Sequence, residues 1–99
     1  MFGSGMLDKL NAMKNMADES KKRLDSIIVE GEAGGGLIRV ELTGNRNLKS
    51  ISINTDHTQM SKEDLEDLFS VAFNRALENA NKVNEQEVMN SAKNMFPGL

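Results

Sequence analysis

The chain has 99 residues, of which 38% are hydrophobic, and it contains no cysteine, tryptophan or tyrosine. Without cysteine it can form no disulfide, thiolate zinc site or cysteine nucleophile, and no apolar run is long enough to span a bilayer. The length corresponds to one small domain, residues 1–99. The core of so small a domain is thin, which favours oligomerisation as a further source of buried area.

The formal net charge of −3 is unevenly distributed along the chain. Residues 1–26 have five basic and four acidic side chains, whereas residues 61–99 have four basic and seven acidic ones. Affinity for nucleic acid comes largely from Lys and Arg side chains that contact phosphates. The negative total charge therefore argues mildly against nucleic-acid binding. The N-terminal segment is nevertheless the least unfavourable part of the chain for a polyanion.

Residues 6–25 follow a helical pattern. Apolar or small residues recur at alternating intervals of four and three, which is a heptad seam. They are Met6, Leu10, Met13, Ala17, Ser20 and Leu24. Such a seam predicts a helix that packs against a partner helix.

Three strands are predicted next, at residues 27–33, 37–43 and 48–54. In the second, Ile38, Val40 and Leu42 alternate with polar residues and therefore share one face. In the third, Ile51 and Ile53 are predicted to point inward and to be buried with them. The spacing of the three runs favours an antiparallel meander.

A second helix is predicted at residues 61–95. Ser61 is suited to its N-cap, with Asp64 three residues later as in a capping box. An apolar stripe follows, made of Leu65, Phe69, Ala72, Phe73, Ala76, Ala80 and Val83. Glu87 falls where an apolar residue would continue the stripe, and Pro97 is predicted to end the helix.

These elements predict an α+β fold in the order α-β-β-β-α, with a three-stranded antiparallel sheet. A helix of this length extends roughly 50 Å, whereas the strands span only about 20–25 Å. Both helices are therefore expected to project beyond the sheet and to pack on each other or on a second subunit.

Several short motifs, in this order and spacing, resemble the YbaB/EbfC family of bacterial nucleoid-associated DNA-binding proteins. They are Met1-Phe2-Gly3, Gly34-Gly35-Gly36-Leu37-Ile38-Arg39-Val40, Gly44, Leu48-Lys49-Ser50-Ile51-Ser52-Ile53, Leu65-Glu66-Asp67-Leu68, Ala72-Phe73-Asn74-Arg75-Ala76 and Met95-Phe96-Pro97-Gly98. The resemblance covers essentially the whole chain.

The resemblance implies a homodimer joined through the sheet region, with paired helices projecting like tweezers. It also implies binding to duplex DNA, often with loose sequence preference, and a role in nucleoid organisation or transcriptional regulation. From the basic side chains we expect the contact to be with the phosphate backbone. We accordingly expect a cytoplasmic protein of the nucleoid, with no membrane association and no small-molecule substrate. The family's DNA contacts are attributed to the projecting helices.

The candidate DNA-binding residues lie on the two predicted helices. They are Lys9, Lys14, Lys21, Lys22, Arg23, Arg75, Asn79 and Lys82. Long cationic side chains can meet a curved anionic surface, and an asparagine amide suits phosphates and groove edges. The alternative is a pair of solvated helix faces whose basic residues are neutralised by neighbouring acidic ones.

No catalytic, cofactor or metal site is predicted. His57 beside Asp56 lies in a polar connector without a nucleophile or second histidine, so we interpret it as a solvated loop residue. Gly34-Gly35-Gly36 is not a phosphate loop, because no Gly-Lys-Ser/Thr follows it. The residues therefore predict a protein that is not an enzyme. The second hypothesis is a protein-interaction module whose helices bind another protein or serve only to dimerise.

Overall fold

The computed structural model describes residues 4–54 and 59–95 as five secondary-structure elements. They are α1 (Ser4–Ser26), β1 (Ile28–Ala33), β2 (Ile38–Thr43), β3 (Leu48–Ile53) and α2 (Lys62–Met95). The strands form one antiparallel sheet in the order β1-β2-β3. The predicted order of elements and the antiparallel sheet are confirmed. His57 and Pro97 lie outside the described residues.

The ends of the elements follow from local chemistry. Gly34, Gly35 and Gly36 connect β1 to β2 with φ angles of 65°, 67° and 94°, a region that side chains with a Cβ disfavour. At the start of α2, the Asp64 N–H donates to Ser61 Oγ at 3.0 Å. Ser61 is therefore the N-cap that the sequence predicts.

The core lies between α2 and the first two strands. Ile38, Val40 and Leu42 of β2 are at most 1% exposed, which confirms the predicted face of that strand. They pack with small residues of α2, among them Ala72 and Ala76. The helix approaches the sheet closely at Gly31 of β1, where a Cβ atom would overlap the α2 backbone.

The third strand departs from the prediction. Val40 is paired with Ile51 and Ile38 with Ile53, so these isoleucines share the inner face as expected. Their predicted burial is nevertheless wrong for the single chain, since Ile51 is 42% and Ile53 47% exposed. The physical reason is the path of α2, which packs against β1 and β2 and leaves β3 uncovered.

The molecule is elongated because both helices are longer than the sheet. It measures 71 × 23 × 18 Å, with a radius of gyration of 19.3 Å, whereas a compact domain of this size has about 13 Å. Asn84 of α2 binds the β2–β3 hairpin, so residues 85–95 extend beyond the sheet. Neither α1 nor α2, over the residues described, contains a stretch that is long and apolar enough to cross a membrane.

Candidate nucleic-acid interface

Helix α1 presents four exposed lysines, Lys9, Lys14, Lys21 and Lys22. Lys14 and Lys21 are seven residues apart, so they lie two turns apart on one face of the helix, and Lys22 lies about 100° further round. None of the four forms an ion pair with another residue in the described ranges. Their ammonium groups are therefore available to an anionic ligand.

Arg23, the fifth basic residue of α1, is held by the neighbouring helix. Its Nε and Nη2 both donate to Glu87 Oε1 of α2, the former at 2.9 Å. Ser20 Oγ donates to the same oxygen at 2.9 Å. The bond from Arg23, followed by that from Ser20, lowers the pKa of Glu87, and the same ion pair raises the pKa of Arg23. Arg23 thus contributes to the contact between the two helices.

Arg75 and Asn79 of α2 bind the edge of the sheet. Arg75 Nη1 donates to the backbone oxygen of Glu32, and Asn79 Nδ2 to that of Glu30, both at 2.8 Å. Strand β1 is an edge strand, so these bonds satisfy carbonyl groups that would otherwise be open to pairing with another chain. The close approach of α2 at Gly31 brings both side chains within reach.

The surroundings of Arg75 are acidic. Together with Asn79 it lines a shallow groove that also contains Glu30, Glu32 and Glu78. Lys82 lies two turns beyond Arg75 and is exposed. Carboxylates so close to this part of α2 oppose the approach of a phosphate, whereas α1 has a net positive charge within residues 1–26.

The direction of α1 is set at the hairpin between β2 and β3. The Gly44 N–H donates to the backbone oxygens of Leu24 and Ile27, each at 3.0 Å. Asn45 Nδ2 donates to the backbone oxygen of Lys21 at 2.9 Å, and Asn84 Nδ2 of α2 donates to that of Gly44 at 3.0 Å. The last turn of α1 is therefore fixed to the hairpin of the sheet, which is bonded in turn to α2.

A second exposed surface is apolar. It lies beside β3 and forms a groove of about 410 Å³ lined by Ile38, Ile51, Ile53, Leu65, Glu66, Phe69 and Ser70. Within the described residues, β3 pairs with β2 alone, so its outer edge is open. An open strand edge beside an apolar groove is suited to association with another chain.

Sequence reasoning missed the role of Glu87. The sequence did contain an indication of this role. Glu87 is a carboxylate where the stripe of α2 would have an apolar residue, and Ser20 is a polar residue in the seam of α1. The position of His57 is not described. Elsewhere, in residues 4–54 and 59–95, no group of three or more acidic or histidine side chains could hold a metal ion.

The chain is similar to known DNA-binding and nucleoid-associated proteins. A model of the YbaB/EbfC DNA-binding family matches residues 2–95. A nucleoid-associated protein of Flavobacterium johnsoniae is 37% identical over 95 residues, which cover 96% of this chain and 89% of that protein. A nucleoid-associated protein of Acinetobacter baumannii is 36% identical over 89 residues, covering 88% and 82% of the two chains.

The fold also matches a crystal structure. An uncharacterised protein of Helicobacter pylori superposes with a TM-score of 0.73 and 24% sequence identity, covering 96% of this chain and 97% of that one. This likeness shows a common fold that includes both long helices.

Proposed function

Because the chain belongs to the YbaB/EbfC DNA-binding family, we propose that it is a nucleoid-associated protein that binds duplex DNA. It binds as a homodimer, through the phosphate backbone and with low sequence specificity. The observation that carries this proposal is the set of exposed lysines on α1, which make no ion pair with other described residues.

The lysines of α1 suit phosphate contact. Lys14 and Lys21 lie on one face of a helix that projects from the sheet, where a duplex can reach them. A lysine ammonium is a compact point charge, which positions a protein on the backbone without reading the bases. We assign Lys9, Lys22 and Lys82 to the same role at the margins of the contact.

Low specificity follows from how the other polar candidates are engaged. Sequence is read mainly by Arg, Asn or Gln side chains that bind base edges in pairs of hydrogen bonds. Arg23 is bound to Glu87, Arg75 to Glu32, and Asn79 to Glu30. We propose that these three position the helices, so that few groups remain for reading sequence.

The apolar groove beside β3 supports the homodimer. Ile51 and Ile53 are 42% and 47% exposed although they lie on the inner face of the sheet. A second copy placed against β3 and the first half of α2 would bury them with Leu65 and Phe69. The other edge, β1, is already occupied by Arg75 and Asn79, so β3 is the edge suited to pairing.

This arrangement separates the two surfaces. The groove lies beside the first half of α2, whereas the lysines lie on α1, which meets α2 at Glu87 in its second half. A dimer joined at β3 therefore leaves both copies of α1 available to DNA. Relatives called nucleoid-associated proteins support a location at the nucleoid.

A protein-interaction module is the second candidate, and the charge of α2 favours it. Residues 61–99 have seven acidic and four basic side chains, which oppose a polyanion. In this reading the helices bind a protein partner and the lysines of α1 are solvated.

Fluorescence anisotropy with two unrelated duplexes of equal length distinguishes the candidates. DNA binding through phosphates predicts similar affinities for both duplexes and a steep loss of affinity between about 50 and 200 mM salt. Absence of binding at about 50 mM salt, with the dimer intact, would contradict DNA binding and favour the interaction module.

A further inference from the structure

Helix α1 extends well beyond the described end of α2. Ser20 and Arg23 are bonded to Glu87, which fixes how the two helices lie side by side. From Ser20 to the start of α1 at Ser4 is twice as many residues as from Glu87 to Met95. At 1.5 Å per residue, α1 reaches roughly 12 Å further. We call residues 4–11 the overhang.

The overhang has an apolar face that the described residues, 4–54 and 59–95, leave exposed. Met6 is 57%, Leu7 59% and Leu10 54% exposed. These three large apolar side chains lie within two helical turns and form one exposed apolar group. Exposed groups of this kind mark interaction surfaces.

A groove lies next to the overhang, between α1 and α2. It has a volume of about 530 Å³ and is largely apolar. Its lining includes Met13, Met16, Ala17, Val88 and Ala92. Met13 is 48% and Val88 63% exposed, so the groove is open to solvent in the single chain.

We propose that the overhang of one copy packs into this inter-helix groove of a second copy, and that the second copy does the same in return. Two proposed homodimers are thereby joined into a tetramer through the ends of their projecting helices. The occupant of the groove is a second copy of this chain, because knob and groove lie on the same molecule and a contact in which each copy supplies both is two-fold symmetric and closed.

The heptad seam gives the alignment. Met6, Leu10, Met13 and Ala17 continue one 4–3 repeat from the overhang into the groove. In an antiparallel pair of α1 helices, Leu10 against Met13 of the partner subunit brings Met6 to the partner's Ala17, which lines its groove. These four residues of the seam then meet one another, as knobs-into-holes packing requires.

Charge and area are compatible with a reversible contact. The overhang has one acidic residue, Asp8, and one basic residue, Lys9, so two copies do not repel each other. Half-exposed Leu, Met and Val side chains can each lose on the order of 80 Å². The overhang and the groove of each copy contain five such side chains, so the two copies together bury about 800 Å². This is below the roughly 1000 Å² of a stable specific interface and is typical of a weak contact. The tetramer therefore forms at high concentration and dissociates on dilution.

Sedimentation equilibrium of the full chain tests the proposal. Between roughly 1 and 100 μM, the average mass should rise from two towards four times the chain mass of 10.9 kDa. Leu10→Glu should keep the mass at the dimer, with unchanged circular dichroism. Asn11→Glu adds the same charge about 100° round the helix and should behave as the wild type. A tetramer that persists in Leu10→Glu, or a wild type that stays dimeric at the highest concentration, would overturn the proposal.

Disulfide trapping tests the alignment, since the chain has no cysteine of its own. Leu10→Cys and Met13→Cys proteins, mixed and mildly oxidised, should give the mixed disulfide as the main product. Leu10→Cys alone giving an equal yield of disulfide would indicate a parallel pair and contradict the alignment.

The proposed tetramer rests on the proposed homodimer, and a different variant tests each of the two contacts. Ile53→Glu tests the contact beside β3, whereas Leu10→Glu tests the overhang. A wild-type dimer that is lost in Leu10→Glu but kept in Ile53→Glu would preserve the overhang contact and remove the homodimer described above.

Discussion

Arg23 and Glu87 form the ion pair that holds α1 against α2. Arg23 Nε and Nη2 both donate to Glu87 Oε1, and this oxygen also accepts a hydrogen bond from the hydroxyl of Ser20. Glu87 lies in the part of α2 that extends beyond the sheet. The ion pair therefore holds in place the helix that contains Lys14 and Lys21.

The first prediction concerns Glu87→Gln. The Arg23 and Ser20 hydrogen bonds lower the pKa of Glu87 in the folded protein, so its stabilising contribution is present above the unfolded pKa of about 4.3 and is lost as pH falls through the lower folded value. The urea midpoint of Glu87→Gln should therefore lie below that of the wild type at pH 7, and the two midpoints should converge once the pH has fallen below the folded pKa of Glu87.

Glu85→Gln is the matched control for this prediction, because it removes the same charge from an exposed position of α2. Its midpoint should stay close to that of the wild type. An equal midpoint for Glu87→Gln and the wild type at pH 7 would mean that the ion pair contributes nothing to stability.

The second prediction concerns the core. Val40 is 0% exposed, so Val40→Ala should lower the free energy of unfolding by about 1–3 kcal/mol, from lost transfer energy and a cavity. Val71→Ala removes the same atoms from a position that is 41% exposed, and it should cost less than about 0.5 kcal/mol. Equal costs in denaturant titrations would contradict the described packing of β2.

The third prediction concerns the edge of β1. Asn79→Ala removes the donor to the backbone oxygen of Glu30 and should lower the free energy of unfolding by about 1 kcal/mol. Asn74→Ala is the control, since Asn74 is an exposed asparagine of the same helix. If Asn79→Ala weakened DNA binding and left stability unchanged, Asn79 would be a DNA contact rather than a support of the sheet.

The fourth prediction concerns the proposed dimer. Ile53→Glu places a charge in the apolar groove beside β3 and should shift the protein towards the monomer at micromolar concentration. Ser52→Glu changes the neighbouring residue, which faces the opposite side of the sheet beside Arg39, and should remain dimeric. Light scattering gives both masses, and a stable Ile53→Glu dimer would place the interface elsewhere.

The sequence predicted what depends on local patterns. The alternation through Val40 indicated the buried face of β2, and Ser61 indicated the start of α2. It did not predict which strands α2 covers, because Ile51 and Ile53 alternate as Val40 does. Which strands α2 covers depends on Gly31, where the α2 backbone approaches the sheet closely. The sequence alone does not indicate which helix packs against a glycine in a strand.

The candidate site was predictable only in part. The lysines of α1 stand out as exposed charges on a projecting helix. The contacts of Arg23, Arg75 and Asn79 depend on which backbone and carboxylate oxygens the fold brings near them. From helical spacing alone, these three residues cannot be distinguished from exposed residues such as Lys14 and Lys21.

The central claim is phosphate binding by the lysines of α1, and the salt dependence of DNA affinity tests it most directly. If two to three basic residues per subunit contact phosphate, a dimer neutralises about four to six phosphates, and log affinity should fall against log salt with a slope of roughly −4 to −5. The double variant Lys14→Ala/Lys21→Ala should flatten that slope by up to about four and weaken all sequences alike.

The matched control for that measurement is Lys49→Ala/Lys62→Ala, which removes two exposed lysines that lie away from α1. It should keep the slope of the wild type. A slope that is unchanged in Lys14→Ala/Lys21→Ala, with the dimer intact, would contradict the assignment of DNA binding to α1.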